Sequence, residues 1–202
     1  MFVGRLHGPP RLPCWYQLAD FCPSSISYEG IPLMRLILIR HAKSSWDDPF
    51  QDDHARMLNK RGRDAARAIG TWLQAKGHEP DHVLVSDAAR TVETAELILP
   101  CLNSDPTVDY LPALYHASPD TVLDLAQQRP DGCVAIIAHN PGIGMLARAL
   151  TVKAPDHRRF DDYPTCATTV IDFNGPVSIG NGVVVDFIVP RDLIGAAGRE
   201  AD

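Results

Sequence analysis

The 202-residue chain has no apolar run near the ~18 residues that read as a membrane-spanning helix. It has no excess of positive charge either: 19 Lys and Arg stand against 25 Asp and Glu, a net charge of −6. A chain so balanced is poorly suited to coat nucleic acid or an anionic membrane, although it leaves room for a local basic pocket that takes a small anion. The five cysteines, Cys14, Cys22, Cys101, Cys133 and Cys166, are odd in number and widely spaced, with no Cys-x-x-Cys pair. Neither a zinc knuckle nor a dithiol redox motif is therefore indicated, and the setting reads as reducing and cytoplasmic. Cys133 and Cys166 lie in apolar stretches and are expected to be buried thiols. There is no internal repeat and no low-complexity tract.

What the chain does have is 45% hydrophobic residues, enough for one domain with a sizeable core. Residues 1–33 are rich in Pro, Gly and Ser and carry no period, so they read as a disordered extension; "MFV" is too short for the apolar core of a signal peptide. A domain is expected over residues 34–195, with 196–202 a frayed tail. Within it, strands alternate with helices. "RLILI" (35–39), "HVLVS" (82–86) and "CVAIIA" (133–138) are short apolar runs that read as buried strands. "TVDYL" is a shorter candidate, and "CATTVIDF" and "GVVVDFIVP" are two β-branched runs divided by turn residues. Asn59 is placed to cap a helix over roughly 61–76 that Gly77 ends. Asp87 is expected to cap "AARTVETAELIL", with Ala88, Val92, Ala95 and Leu99 near one face. Ser118 caps a third helix, with Pro119 at its first position, and Asn140-Pro141 opens a fourth, "GIGMLARAL". The pattern predicts an α/β three-layer sandwich: a mostly parallel central sheet flanked by helices.

The polar residues fall at strand ends. The first strand ends in Arg40-His41, the second in Ser86-Asp87 with Arg90 one turn into the next helix, and the "CVAIIA" strand in His139-Asn140. Ligands of open α/β sheets bind outside the carboxyl ends of the strands, and parallel strands bring these ends to one rim. Two arginines, two histidines and two helix N-termini then converge. Arginine matches phosphate oxygens with a planar fork, and helix N-termini attract anions. One histidine serves as a nucleophile when its second ring nitrogen donates to a carbonyl, and another stabilises the transferring group. Arg40, Arg90 and Asn140 are candidate phosphoryl-binding residues.

These stretches resemble a known family. "LILIRHAKSSW" is similar to the R-H-G signature of the histidine phosphatase superfamily, with Ala42 in place of its glycine. "VLVSDAARTVETA" and "AIIAHNPG" resemble its second and third signatures, and "DDHARMLNKRG" its R-x-L-x-x-x-G element. The resemblance covers residues 34 to about 193 and implies a phosphoglycerate mutase-like fold. The absence of long inserts makes the chain most similar to small SixA-type phosphohistidine phosphatases. It implies His41 as the residue that becomes phosphorylated, Arg40 and Arg90 as phosphoryl ligands, His139 as stabiliser and Ser44 as a supporting residue. No metal and no cofactor are implied.

The larger members place an acidic proton donor after the third strand. Here "LPALYHASPD" offers Tyr115, His116 and Asp120 but no Glu, while Asp47, Asp48, Asp52 and Asp53 lie in the loop after the nucleophile. Asp47, Asp53 and His116 are the candidate donors. The expected function is metal-independent transfer of a phosphoryl group to His41 and then to water. Its substrate is expected to be a phosphohistidine protein or a phosphorylated small molecule. The alternatives are a general phosphomonoesterase and a phosphate-binding module without turnover. Metal-ligand histidines and a mutase activity are weaker readings. Neither nucleic acid nor membrane is an expected partner, and the sequence carries no sign of oligomeric state.

Overall fold

The computed structural model describes residues 34–129 and 132–197. The expectation of a disordered extension lies outside the described residues. The elements in chain order are β1 (Met34–Arg40), α1 (Lys60–Lys76), β2 (His82–Ser86), α2 (Ala89–Ile98), β3 (Thr107–Leu111), α3 (Pro119–Gln127), β4 (Gly132–Ala138), α4 (Gly142–Leu150), β5 (Thr168–Phe173), β6 (Val183–Ile188) and α5 (Pro190–Ala197). The last helix runs to Ala197, two residues past the expected domain end at 195, and the rest of the expected tail lies outside the described residues.

The six strands form one sheet in the order β3-β2-β4-β1-β5-β6. The pairs β3–β2, β2–β4 and β4–β1 are parallel, and β5 and β6 add an antiparallel edge. The central strands β1, β2 and β4 are mostly apolar and buried because both faces of the sheet are covered there, whereas the edge strands β3 and β6 are partly exposed. Alternation sorts their side chains into two cores. Leu36 and Leu38 of β1, with Val134 and Ile136 of β4, meet Val122, Ile143 and Leu146 of α3 and α4. Ile37 and Ile39, with Ala135 and Ile137, meet Ala66, Ile69, Ala95 and Ile98 of α1 and α2. Each such fully buried aliphatic side chain contributes about 1.5–3 kcal/mol relative to exposure. The expected three-layer α/β architecture is present.

Local signals explain most boundaries. The Asn59 side chain accepts from the Gly62 N–H, and Gly77 ends α1 in the left-handed conformation at φ 68°. Ser118 caps α3 by accepting from Thr121 N–H, with Pro119 in its first turn. One expectation fails and another holds only in part. Asp87 does not cap α2; the helix has no side-chain cap, and the Asp87 carboxylate pairs with His54 Nε2 at 2.9 Å. The apolar face expected for α2 is met only in part: Ala88 and Ala95 are fully buried, but the helix buries polar residues as well. It hides Arg90, Thr91, Glu93 and Thr94 with Ala95 and Ile98, while Val92 and Leu99 are only half-buried. Cys166 is fully buried and its thiol is pushed up to about 12 by desolvation, whereas Cys133 is half-buried.

Candidate active site

Register brings the predicted residues together. Arg40 pairs with Ala138 across β1 and β4, and His41 N–H donates to the Ala138 carbonyl at 3.0 Å, so His41 and His139 leave adjacent strands side by side. Their ring centroids are 5.1 Å apart. β2 lies on the other side of β4, which sets the Ser86 hydroxyl 2.8 Å from His139 Nε2. Arg90, in the first turn of α2, reaches His139 Nδ1 at 3.2 Å. Arg40, His41, Ser44, Arg90, His139 and Asn140 all line one cleft of about 350 Å³.

The hydrogen bonds define what each histidine offers. His41 Nδ1 lies 2.7 Å from the Ala42 carbonyl oxygen, which only accepts, so Nδ1 carries the proton and Nε2 keeps its lone pair. Burial pushes the His41 pKa down to about 3, with the charges of Arg90, Arg40 and Arg56 adding to the effect. His41 is therefore neutral at physiological pH. His139 accepts from Arg90 at Nδ1 and donates from Nε2 to Ser86, and burial with its neighbours pushes it down to about 2. The backbone after His41 is fixed as well, since Ala42 N–H donates to Thr94 Oγ1 at 3.0 Å.

The arginines differ in their engagement. Arg90 donates to the Asp53 carbonyl at 2.5 Å and to its carboxylate at 3.0 Å. Arg40 donates from one Nη to the Tyr163 carbonyl at 2.9 Å, and its buried Nε has no protein partner. Desolvation and the charge of Arg90 lower its pKa. Ser44 is buried and accepts from Arg56 at 2.7 Å. Asn140 spends its amide nitrogen on the Tyr163 carbonyl at 3.0 Å, leaving a buried Oδ1 without a partner.

Arg56 belongs to the site although sequence reasoning gave it no role. It is buried, and besides Ser44 it binds the Asp53 carboxylate at 2.8 Å and the Ser45 carbonyl at 3.1 Å, with the Trp46 ring stacked 3.3 Å from its guanidinium carbon. The R-x-L-x-x-x-G element already contained it. Nothing local in a polar loop distinguishes a buried arginine from an exposed one.

The three candidate donors separate. Asp47 lies outside the cleft lining, and its carboxylate accepts from Ser45 Oγ at 2.5 Å. Asp53 lines the cleft but is unsuited to donate. Burial would raise its carboxyl, but the Tyr115 hydroxyl at 2.8 Å, the Arg90 charge and His116 outweigh this and hold it well below the usual carboxylate range. It is an ionised acceptor that pins Arg90, Arg56 and Tyr115. His116 remains: it lines the cleft at the left-handed φ of 47°, its ring is 5.2 Å from that of His139, and its Nε2 is 3.3 Å from Asp53. Among the described residues no group of three or more His, Cys, Asp or Glu is arranged to hold a metal ion, and no helix is long and apolar enough to cross a membrane.

Known proteins resemble this chain in sequence and in fold. Residues 36–116 match the family model of the histidine phosphatase superfamily (branch 1). An uncharacterized protein of Mycobacterium leprae is 33% identical over 165 residues, covering 76% of this chain and all of the relative. This chain belongs to the histidine phosphatase superfamily. Among characterised relatives of this histidine phosphatase, the phosphohistidine phosphatase SixA of Escherichia coli is 28% identical over 58% of the chain and 74% of its own length. The solved structure of the protein histidine phosphatase SixA complexed with tungstate superposes with a TM-score of 0.67 at 26% identity, over 79% of this chain and 99% of that one.

Proposed function

We propose that this histidine phosphatase takes a phosphoryl group onto His41 Nε2 and passes it to water, acting on phosphohistidine or a similarly activated phosphoryl compound. The observation that carries the reading is the tautomer of His41. Its Nδ1 proton is held by the Ala42 carbonyl, so a neutral, nucleophilic Nε2 is available in a cleft shared with Arg40 and Arg90. The Nε2 lone pair attacks phosphorus as the bond to the leaving group breaks and that group departs with the electron pair. Water then attacks the phosphorus of phosphorylated His41, the P–N bond breaks, and the imidazole and inorganic phosphate are released. Arg40, with its unpartnered Nε, and Arg90 hold the phosphoryl oxygens throughout, while His139 stabilises the charge that builds on them. No metal enters the scheme. The three cysteines described are free, which agrees with a reducing, cytoplasmic setting.

Leaving-group chemistry favours phosphohistidine over alkyl esters. An alkoxide needs a proton donor, and the carboxylate that lines the cleft is held ionised. Imidazole, with a pKa of about 6.5, leaves as a neutral molecule once its ring is protonated. The test is kcat/KM for a phosphohistidine peptide, a nitrophenyl phosphate and a sugar phosphate, together with acid-labile, base-stable 32P trapping on His41. Phosphohistidine and the aryl ester should be turned over well and the sugar phosphate poorly. Efficient sugar-phosphate hydrolysis that disappears in His116→Asn identifies a general phosphomonoesterase with His116 as its acid. Phosphate binding without turnover of any substrate identifies a binding module.

A further inference from the structure

A second, smaller cavity of about 90 Å³ adjoins the catalytic cleft and shares Lys43 and Thr165 with it. Its walls carry Lys43, Arg61, Arg158, Arg159 and Arg191, with Asp192 the acidic member. Five cations at one spot are conspicuous on a chain of net charge −6. Most are also unmatched. Asp192 is occupied by His157 at 3.2 Å and by the Val189 N–H, and Arg159 sits 3.0 Å from Asp162. Among the described residues Lys43, Arg61, Arg158 and Arg191 have no carboxylate partner, although neighbouring Lys60 and Arg63 do.

The backbone adds to this field. The cavity is bordered by the starts of α1 and α5, where helix dipoles place partial positive charge. The first turn of α5 answers that charge with Asp192, whereas the first turn of α1 has only the neutral cap Asn59 and no acidic residue. The arrangement depends on a close approach. A Cβ on Gly62 would stand 2.2 Å from the Lys43 carbonyl oxygen, so only glycine allows the start of α1, with Arg61, to sit against Lys43. Among the described residues, Arg159 alone of the five cations has a carboxylate partner, Asp162, and the other four are exposed toward the solvent. The volume is several times the ~10–15 Å³ that admits one water, which leaves room for a carboxylate or phosphate group.

We infer that this cavity is a subsite for a second anionic group of the substrate, attached on the leaving-group side of the phosphoryl group that His41 receives. The inference rests on the proposed phosphatase reading for the word substrate, but the subsite itself is defined by binding. The anion has two sources, a further phosphate of a small molecule or the Asp and Glu side chains of a phosphorylated protein, and the fork of arginine recognises either.

The test uses the full chain and the double variant Arg61→Ala/Arg191→Ala, whose exposed side chains lie outside the catalytic cleft. Calorimetry compares orthophosphate with tripolyphosphate. Kinetics compare phosphohistidine peptides flanked by Asp and Glu with the same peptides flanked by Ala, and both with nitrophenyl phosphate. The double variant should leave orthophosphate affinity and nitrophenyl phosphate turnover within about twofold. It should weaken tripolyphosphate, the acidic peptide, or both by about tenfold, and flatten their salt dependence. Loss confined to tripolyphosphate assigns the subsite to a phosphate of a small molecule, and loss confined to the acidic peptide assigns it to protein carboxylates. An equal loss for every ligand, or no loss for either polyanion, overturns the subsite while leaving the phosphatase reading intact. Tripolyphosphate discrimination in a protein that turns over no phosphoryl compound overturns the phosphatase reading and leaves the subsite standing.

Discussion

The two flanks of the catalytic cleft handle positive charge in opposite ways. On one, Arg90 and Arg56 are buried and firmly held: Asp53 takes two bonds from Arg90 and one from Arg56, and His139, Ser44 and the Ser45 carbonyl accept one each. On the other, Arg40 holds a single backbone carbonyl and keeps a bare Nε, and Lys43 beside it has no carboxylate partner among the described residues. An arginine held in this way is preorganised: its remaining N–H donors are aimed before the anion arrives, which costs little at the moment of reaction. A less engaged one offers more free donors, but must be ordered by what it binds. The division suits a site that fixes the phosphoryl group from one side and recruits the rest of the substrate from the other.

Between the flanks stands His41, and its removal should have the largest effect. His41→Ala should lose roughly 10³-fold or more in kcat, as removal of a covalent nucleophile does, and should abolish 32P labelling. Near-full turnover in that variant would contradict the phosphoenzyme. Next is Arg90→Ala, which removes a preorganised donor and should cost about 10²-fold in kcat, while weakening inhibition by phosphate and vanadate. An unchanged phosphate inhibition constant removes Arg90 from the phosphoryl site and reverses the roles given to the two flanks.

The open flank depends on packing that mutation reaches without touching charge. In Gly62→Ala the new methyl meets the Lys43 carbonyl, a backbone atom that cannot swing away. The start of α1 or the segment after His41 must shift, at about 1–3 kcal/mol of stability, read as a lowered Tm. Unchanged stability would mean that this junction is looser than its contacts imply. Asp53→Asn tests the firmly held flank more gently. It keeps the shape but weakens the acceptor that pins Arg90, Arg56 and Tyr115. A loss of about tenfold in kcat with little change in KM is expected. Abolition of ester hydrolysis alone, with aryl phosphate spared, would instead make Asp53 the missing acid.

The flanks were unequally legible in the sequence. The rim itself was readable, because apolar runs ending in Arg40-His41, Ser86 and His139 are strand ends, and parallel pairing brings such ends together. The start and stop of α1 were readable because Asn59 and Gly77 act on their own helix. The firmly held flank was not. Arg56, Asp53, Tyr115 and Arg90 come from a loop, another loop and a helix face, and their bonds exist only once the chain has folded. The same competition took Asp87 from its expected cap, since His54 from that loop offered a tertiary partner. It also buries polar residues of α2 that the site needs held, Arg90 and Glu93 among them, beside the apolar Ala95 and Ile98. A carboxylate among four donors reads in sequence as a possible acid, and in the fold as an ion.

The smallest effect concerns acid stability, and its sign follows from the two neutral histidines. The folded state holds His41 at about 3 and His139 at about 2, against about 6.5 for an unfolded histidine. Below pH 6.5 the unfolded chain takes up protons that the folded chain refuses, so stability falls as pH falls from about 6.5 toward the folded values. Above pH 6.5 the two residues contribute nothing to the slope. Asp53 acts in the same direction, because its folded carboxyl is depressed, but only below the ordinary carboxylate range near pH 4. The window between pH 4 and 6.5 therefore isolates the histidines. Subtracting the urea-unfolding free energy of His41→Gln from that of the wild type, point by point across this window, removes the titrations the two proteins share and leaves that of His41 together with its effect on His139. The wild type should lose about 1 kcal/mol more than the variant for each pH unit of acidification, and the two curves should run parallel above pH 7. Parallel curves throughout would mean that His41 protonates as easily in the fold as out of it. The neutral Nε2 would then no longer be what the buried strand end secures.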